Sequence, residues 1–284
     1  MKKYSIKKQN KDFYFIDTFQ TSKGTRVKKF VVDKKGERAF FKYEAQKYIV
    51  SEACSEKMCY EIAKVLGFRC AKIELAYDIE NNLGVLNYWF TDNVYIEHTD
   101  AVSYLKTKNN DRKYYYTISN IKDTLDKLNS SLFKKFINLM VFDALVGEQD
   151  RHEENWGIIR TNMNYEFSPL YDNGDSLLNF FKDEKYAQPY YDNKKDFDAY
   201  IMNSKTYIYK EDNKSRYKHF ELIKYLNTLY KDIVQESITN LNKLDDKKIK
   251  EIVEMIPDEL LTKRHKKYII EYLIKRRNIL VGIK

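Results

Sequence analysis

Residues 142–157 read Phe142-Asp143-Ala144-Leu145-Val146-Gly147-Glu148-Gln149-Asp150-Arg151-His152-Glu153-Glu154-Asn155-Trp156-Gly157, and residues 168–174 read Ser168-Pro169-Leu170-Tyr171-Asp172-Asn173-Gly174. An apolar run gives way at Gly147 to a polar loop with an Asp-x4-Asn spacing, from Asp150 to Asn155. A second carboxylate, Asp172, follows after a short, apolar-rich interval. Each fragment alone is ordinary, and Asp-Asn-Gly is a common turn. Their order is more informative. Residues 131–146 carry apolar side chains at helical spacing. Residues 156–159 read as a strand, 161–164 as a polar turn, and a short extended stretch delivers Asp172. Helix, loop, hairpin and second loop follow one another in that order.

The residue types fit phosphoryl transfer from ATP. A carboxylate is negative, compact and acceptor-only, which suits Asp150 to orient or accept the proton of an attacking hydroxyl. Magnesium is a hard cation held by few protein oxygens plus substrate phosphates, which suits Asn155 and Asp172. ATP and Mg2+ are therefore the expected cofactors.

Asp150-Arg151-His152-x2-Asn155-Trp156-Gly157, with Ser168-Pro169-Leu170-Tyr171-Asp172-Asn173-Gly174-x-Ser176-Leu177, resembles the HipA-like kinases. These are bacterial serine/threonine kinases with a fold related to phosphoinositide kinases. The Pro-Leu-Tyr-Asp-Asn-Gly run points to the HipA side. The resemblance is closest over residues 133–178 and extends to 40–92. It implies an α+β, two-lobe protein-kinase-like fold, a protein substrate, and an antitoxin as a partner. Strand-like sequence begins close to Met1, so the chain is expected to belong to the short branch of the family, without its extra N-terminal subdomain.

The small lobe is expected over residues 1–92 and the helical lobe over 93–284. Residues 13–18, 27–32 and 39–43 read as strands separated by polar turns. Residues 51–66 read as a helix with Met58, Cys59, Ile62, Ala63 and Leu66 on one stripe and Gly67 as its stop. Residues 72–77 and 83–90 read as strands around an Asn-rich turn. Further helices are expected near 218–241, 246–256 and 263–283.

Kinase chemistry asks for a strand lysine on the ATP phosphates and a helix glutamate to hold it. Lys42, between aromatic neighbours, is the candidate lysine. Glu52, Glu56 and Glu61 compete for the second role, and the resemblance of residues 55–67 to the family's helix favours Glu56. Gly24, with Ser22 and its neighbours, is the candidate phosphate loop, able to offer backbone N–H groups to phosphates. The resemblance implies that a serine there, Ser22 being nearest, is autophosphorylated and silences the enzyme; Ser176 is the competing acceptor. Tyr88 and Phe90 occupy the expected hinge, residues 88–92, where adenine would bind. His152 is expected to orient backbone or phosphates, and Arg151 to pair with an acid or a phosphorylated residue.

Composition limits the alternatives. The net charge of +9 is spread along the chain among acids, which reads as solvated faces and not as a nucleic-acid stripe. No helix-turn-helix, zinc finger or aromatic RNA motif is present. Three cysteines, Cys54, Cys59 and Cys70, lack metal or disulfide spacing. No window of 18 apolar residues exists and no signal peptide is readable, so a cytoplasmic protein without membrane contact is the simplest expectation. A lipid or small-molecule kinase on the same scaffold and a non-catalytic pseudokinase are the competing readings.

Overall fold

The computed structural model of the chain describes residues 2–16, 28–44, 49–91, 97–106, 111–161, 164–181 and 183–284. Ser22 and Gly24 lie outside the described residues, as does the expected lobe boundary at 92/93. The N-terminal part is a six-stranded sheet carrying one long helix. Its strands are β1 (Lys7–Lys8), β2 (Phe13–Phe15), β3 (Lys28–Asp33), β4 (Arg38–Tyr43), β5 (Ile73–Tyr77) and β6 (Leu83–Tyr88), with helix α1 (Glu52–Leu66) between β4 and β5. The spatial order is β1-β5-β6-β4-β3-β2. All neighbours are antiparallel except β1 with β5.

Alternation along the strands gives the sheet two apolar faces. Phe13, Val31, Ala39, Phe41, Ala76, Leu86 and Tyr88 form a small cluster on the outer face. Ile73, Leu75 and Val85 join the main core, together with the buried stripe of α1. Ser51 caps α1 by accepting from the Cys54 N–H at 3.1 Å, and Gly67 ends it in the left-handed conformation.

The rest of the chain is mostly helical. Strand β7 (Glu97–Asp100) and helices α2 (Val102–Leu105), α3 (Arg112–Tyr115) and α4 (Ile118–Leu128) lead into α5 (Leu132–Val146). Residues 139–146 of α5 are buried all round, so it is the central helix of the body. Strands β8 (Gly157–Arg160) and β9 (Tyr165–Phe167) complete a three-stranded sheet with β7. Helices α6 (Glu184–Asp192) and α7 (Lys194–Asn203) follow, joined at Asn193, whose side chain caps α7. Then come the hairpin β10 (Lys205–Tyr209) and β11 (Arg216–Lys218) and helices α8 (His219–Leu229), α9 (Lys231–Asn240), α10 (Asp246–Glu254) and α11 (Lys263–Val281). The single helix expected over 218–241 is thus two helices, because Tyr230 leaves helical geometry at φ −137° and ψ 49°. Among the described residues no helix is long and apolar enough to cross a membrane.

Gly147 stops α5 with φ +73°, and a Cβ there would sit 1.8 Å from the buried Tyr272 hydroxyl. Gly67 has φ +76° but open space around it. Gly147→Ala should therefore lower stability by about 2–4 kcal/mol, combining left-handed strain with overpacking, and Gly67→Ala by only about 1–2 kcal/mol. Urea unfolding of both variants checks this; equal losses would contradict the steric argument.

Candidate active site

The site forms where β4, α1 and the two loops after α5 meet. Lys42 and Phe40 project from β4 onto the face covered by α1, since Ala39 and Phe41 point to the outer cluster. The Lys42 Nζ donates to Glu56 Oε1 at 2.9 Å and also pairs with Asp172 Oδ1. Lys42 and Glu56 are buried, and the Asp172 side chain is partly exposed. Burial opposes the charge on Lys42, but the carboxylates of Asp172 and Glu56 outweigh it and raise its pKa. Burial likewise opposes the charge on Asp172, yet Lys42, Lys28 and Arg151 hold its carboxyl well below the ordinary range. Of the three competing glutamates, Glu56 is the one on Lys42; Glu61 pairs with Lys57 and Lys64 instead.

Asp172 has φ +55°, a conformation unfavourable to a residue with a Cβ. The loop is held there from both sides. The Asn173 N–H donates to Glu56 Oε2 at 3.2 Å. Arg151 donates to the carbonyls of Tyr171 (2.7 Å) and Asp172 (3.3 Å) and to Asn173 Oδ1 (2.5 Å). The same guanidinium donates to the Asn155 carbonyl at 2.7 Å and pairs with Asp143 of α5 at 3.1 Å. Arg151 is thus fully engaged inside the protein, with an acid as its partner and not a phosphorylated residue.

Asp150 and Asn155 lie on the first loop, which Arg151 joins to the loop of Asp172. The Asn155 Nδ2 donates to the Asp150 carbonyl at 2.8 Å, which turns its Oδ1 away as an available acceptor. The Asp150 side chain is 37% exposed, with His152 Nε2 3.8 Å from its Oδ2. Glu148, absent from the sequence expectations, supports this loop from behind. Its buried carboxylate accepts from the Asp150 N–H and from the Ser176 hydroxyl, each at 2.7 Å. Burial raises its pKa well above the usual range. Ser176, being buried in that bond, is not an accessible acceptor.

Lys28 was also missed by the sequence reading. It stands opposite Lys42 in the β3–β4 register, beside Asp172. Its only signal was its place at the end of a strand that follows the glycine loop. The hinge candidates separate. The Tyr88 ring lies on the outer face, with its hydroxyl donating to Glu74 at 2.8 Å. The Phe90 ring lies 6.0 Å from Tyr171, next to Asp172. Between them, Trp89 packs with Phe30 and Phe40 on the Lys42 side, and its indole N–H is buried without an acceptor among the described residues.

The pattern of the HipA-like C-terminal domain matches residues 20–256. The chain belongs to that family. The serine/threonine-protein kinase CtkA of Helicobacter pylori strain J99 is 25% identical over 174 residues, 58% of this chain and 52% of that protein. The match therefore spans about half the length of this curated relative. The crystal structure of the Helicobacter pylori proinflammatory kinase CtkA superposes with a TM-score of 0.75 at 22% identity, covering 90% of this chain and 92% of that one. HipA from Shewanella oneidensis MR-1, solved in a toxin–antitoxin complex with HipB and operator DNA, superposes with a TM-score of 0.58 at 14% identity, covering 94% of this chain and 65% of that one. The fold is thus kinase-like, with a β-rich N-terminal sheet and a helical C-terminal part, as the HipA-like resemblance implied.

One buried group behind the site titrates in an informative direction. His219 Nε2 lies 2.7 Å from the Glu148 carbonyl, and its Nδ1 lies 2.9 Å from the Ser204 hydroxyl. Burial, reinforced by the nearby Arg276, lowers its pKa to about 3. The unfolded chain takes up a proton near pH 6.5 that the folded protein refuses. Stability should therefore fall as pH drops from about 6.5 toward 3, by up to roughly 1.4 kcal/mol per pH unit from this group. Urea midpoints between pH 7 and 5 should fall less steeply in His219→Gln than in the wild type. Parallel slopes would remove His219 as the cause.

Proposed function

We propose that this HipA-like protein is an ATP- and Mg2+-dependent serine/threonine protein kinase. The observation that carries the reading is the Lys42 ammonium held between Glu56 and Asp172, with Asp150 and Asn155 on the adjoining loop. Four separate segments supply these groups, a convergence that packing alone does not require.

The residues fit both cofactors. Asp172 and the Asn155 Oδ1 are oxygen donors suited to a hard cation that shares its remaining positions with phosphates and water. The pocket already stabilises a positive charge, the Lys42 ammonium, against Asp172. The Phe30, Phe40 and Trp89 rings offer stacking surface, and the Trp89 N–H, without an acceptor among the described residues, offers a donor to an acceptor nitrogen. When bound, Mg2+ would neutralise the phosphate oxygens.

The chain's own residues would do the rest. Lys42 and Lys28 would hold phosphate oxygens, with Glu56 keeping Lys42 extended. Asp150 would orient the acceptor hydroxyl and accept its proton. His152 would help fix the Asp150 carboxylate. The same chemistry extends to the chain's own hydroxyls, Ser22 being the acceptor implied by the family resemblance.

Asp150→Ala should reduce phosphate transfer from Mg-ATP by about two to four orders of magnitude while leaving nucleotide binding in place. Asp172→Ala and Asn155→Ala should instead lose the Mg2+-dependent part of the thermal stabilisation given by a nonhydrolysable ATP analogue. Radiolabelled-phosphate transfer and thermal-shift titration measure the two. Wild-type transfer by Asp150→Ala, or undiminished stabilisation in the other variants, would refute the assignment.

A further inference from the structure

The β10–β11 hairpin brings an unusual group of side chains to the edge of the cleft. Tyr207, on β10, has its hydroxyl beside the Asp150 carboxylate, and burial together with that carboxylate raises its pKa. Its ring meets His152 nearly edge-on at 5.8 Å. Two guanidiniums pack on the same ring: Arg112 at 5.1 Å and Arg216 at 4.7 Å from its centre. The hairpin is fixed in place, since the Tyr209 N–H donates to the Tyr116 carbonyl at 2.9 Å and Glu211 accepts from the Ser119 hydroxyl at 2.6 Å.

The two arginines differ in their commitments. Arg112 is paired with the buried Glu153 at 2.9 Å. Arg216 is stacked on Tyr207 but has no carboxylate within ion-pair distance among the described residues. Stacking buries the weakly hydrated face of a guanidinium and leaves its in-plane N–H donors pointing outward. The aromatic ring thereby orients Arg216 in advance for a planar, two-oxygen acceptor. The hairpin around it, residues 205–218, carries five cationic side chains against two carboxylates. Lys205, Lys214 and Lys218 are exposed.

We propose that Tyr207 and Arg216 form a recognition site for a carboxylate side chain flanking the phosphorylated hydroxyl, so that the substrate is an acidic protein segment. The inference rests on the kinase reading, because Asp150 is then the point to which the acceptor hydroxyl is delivered. A segment that reaches Asp150 passes Tyr207, which touches both Asp150 and Arg216. A nucleic-acid backbone fits less well. It needs a continuous basic stripe, whereas the exposed Glu211 and Asp212 lie among the cations of the same hairpin.

The test uses the full chain and two fluorescein-labelled serine peptides of equal length, with Glu or with Lys flanking the serine. Anisotropy at low ionic strength should give binding of the Glu peptide about three- to tenfold tighter, the range for one or two partly exposed ion pairs. The preference should shrink as salt is added. Arg216→Glu should reverse it, and Arg216→Lys should retain only part of it. In the wild type, kcat/KM for phosphate transfer should favour the Glu peptide in the same direction. Equal binding of the two peptides, an unchanged preference in Arg216→Glu, or displacement of the Glu peptide by single-stranded RNA at equal charge would overturn the proposal. A binding preference that depends on Arg216, with no transfer to either peptide, would refute the kinase reading while leaving the anion site standing.

Discussion

Arg151 holds the candidate site together. The loops that carry Asp150 and Asp172 are separated by the β8–β9 hairpin, and one buried guanidinium spans them. It takes Asp143 from α5, the Asn155 carbonyl from the first loop, and the Tyr171 and Asp172 carbonyls and the Asn173 side chain from the second. Removing two charges from water costs several kcal/mol per ion, which is recovered only when geometry is good and the remaining donors are satisfied. Arginine meets that condition because its planar fork reaches several acceptors at once. A lysine could hold Asp143 but not three backbone carbonyls. The pair also explains a buried carboxylate in the last turn of α5: Asp143 receives Arg151.

Behind this brace lies a second polar layer. Glu148 joins the Asp150 backbone to Ser176, and the Gln149 N–H donates to the Asp175 carbonyl at 3.3 Å. His219 approaches the Glu148 carbonyl, while Arg276 of α11 donates to the Ala144 carbonyl at 2.7 Å near the end of α5. These bonds sit where the backbone is least relaxed. Asp172, Leu177 and Leu178 all have positive φ. Such conformations persist only where surrounding contacts over-determine them. Leu177 and Leu178 are buried, so hydrophobic packing and hydrogen bonds together hold the turn.

The sequence made some of this legible and hid the rest for physical reasons. Helix α1 was readable from its apolar stripe, its Ser51 start and its Gly67 stop, and α5 from its apolar side chains at helical spacing. The spacing of Asp150, Asn155 and Asp172 was visible because loop chemistry leaves polar residues between apolar elements. Glu148 was not, since nothing in a Gly-Glu-Gln run says that the carboxylate turns inward. Helices α6 and α7 were also missed. Their sequence is rich in Lys, Asp, Asn and Tyr and includes Pro189, so local propensity is poor. They form because Phe181, Ala187, Tyr191, Phe197 and Ile201 are buried in the core. Tyr88 shows the same limit from the other side: an aromatic at the end of a strand faces either side of the sheet, and only the strand pairing decided that it faces away from Lys42.

The position of Glu56 bears on control. Helix α1 is not free to swing about the sheet. Cys54, Met58, Cys59 and Ile62 are buried in the same hydrophobic core as α5. The Ser55 hydroxyl donates to the Ser176 carbonyl at 3.1 Å, and Asn240 of α9 donates to the Leu66 carbonyl at 2.7 Å. At the other end, Asn179 donates to the Val50 carbonyl at 2.7 Å. Drawing Glu56 away from Lys42 by rotating α1 would break contacts at both ends of the helix and open the central core. Side chains of that size cost about 2–5 kcal/mol each when their packing is lost. The Lys42–Glu56 pair is therefore built in by the fold.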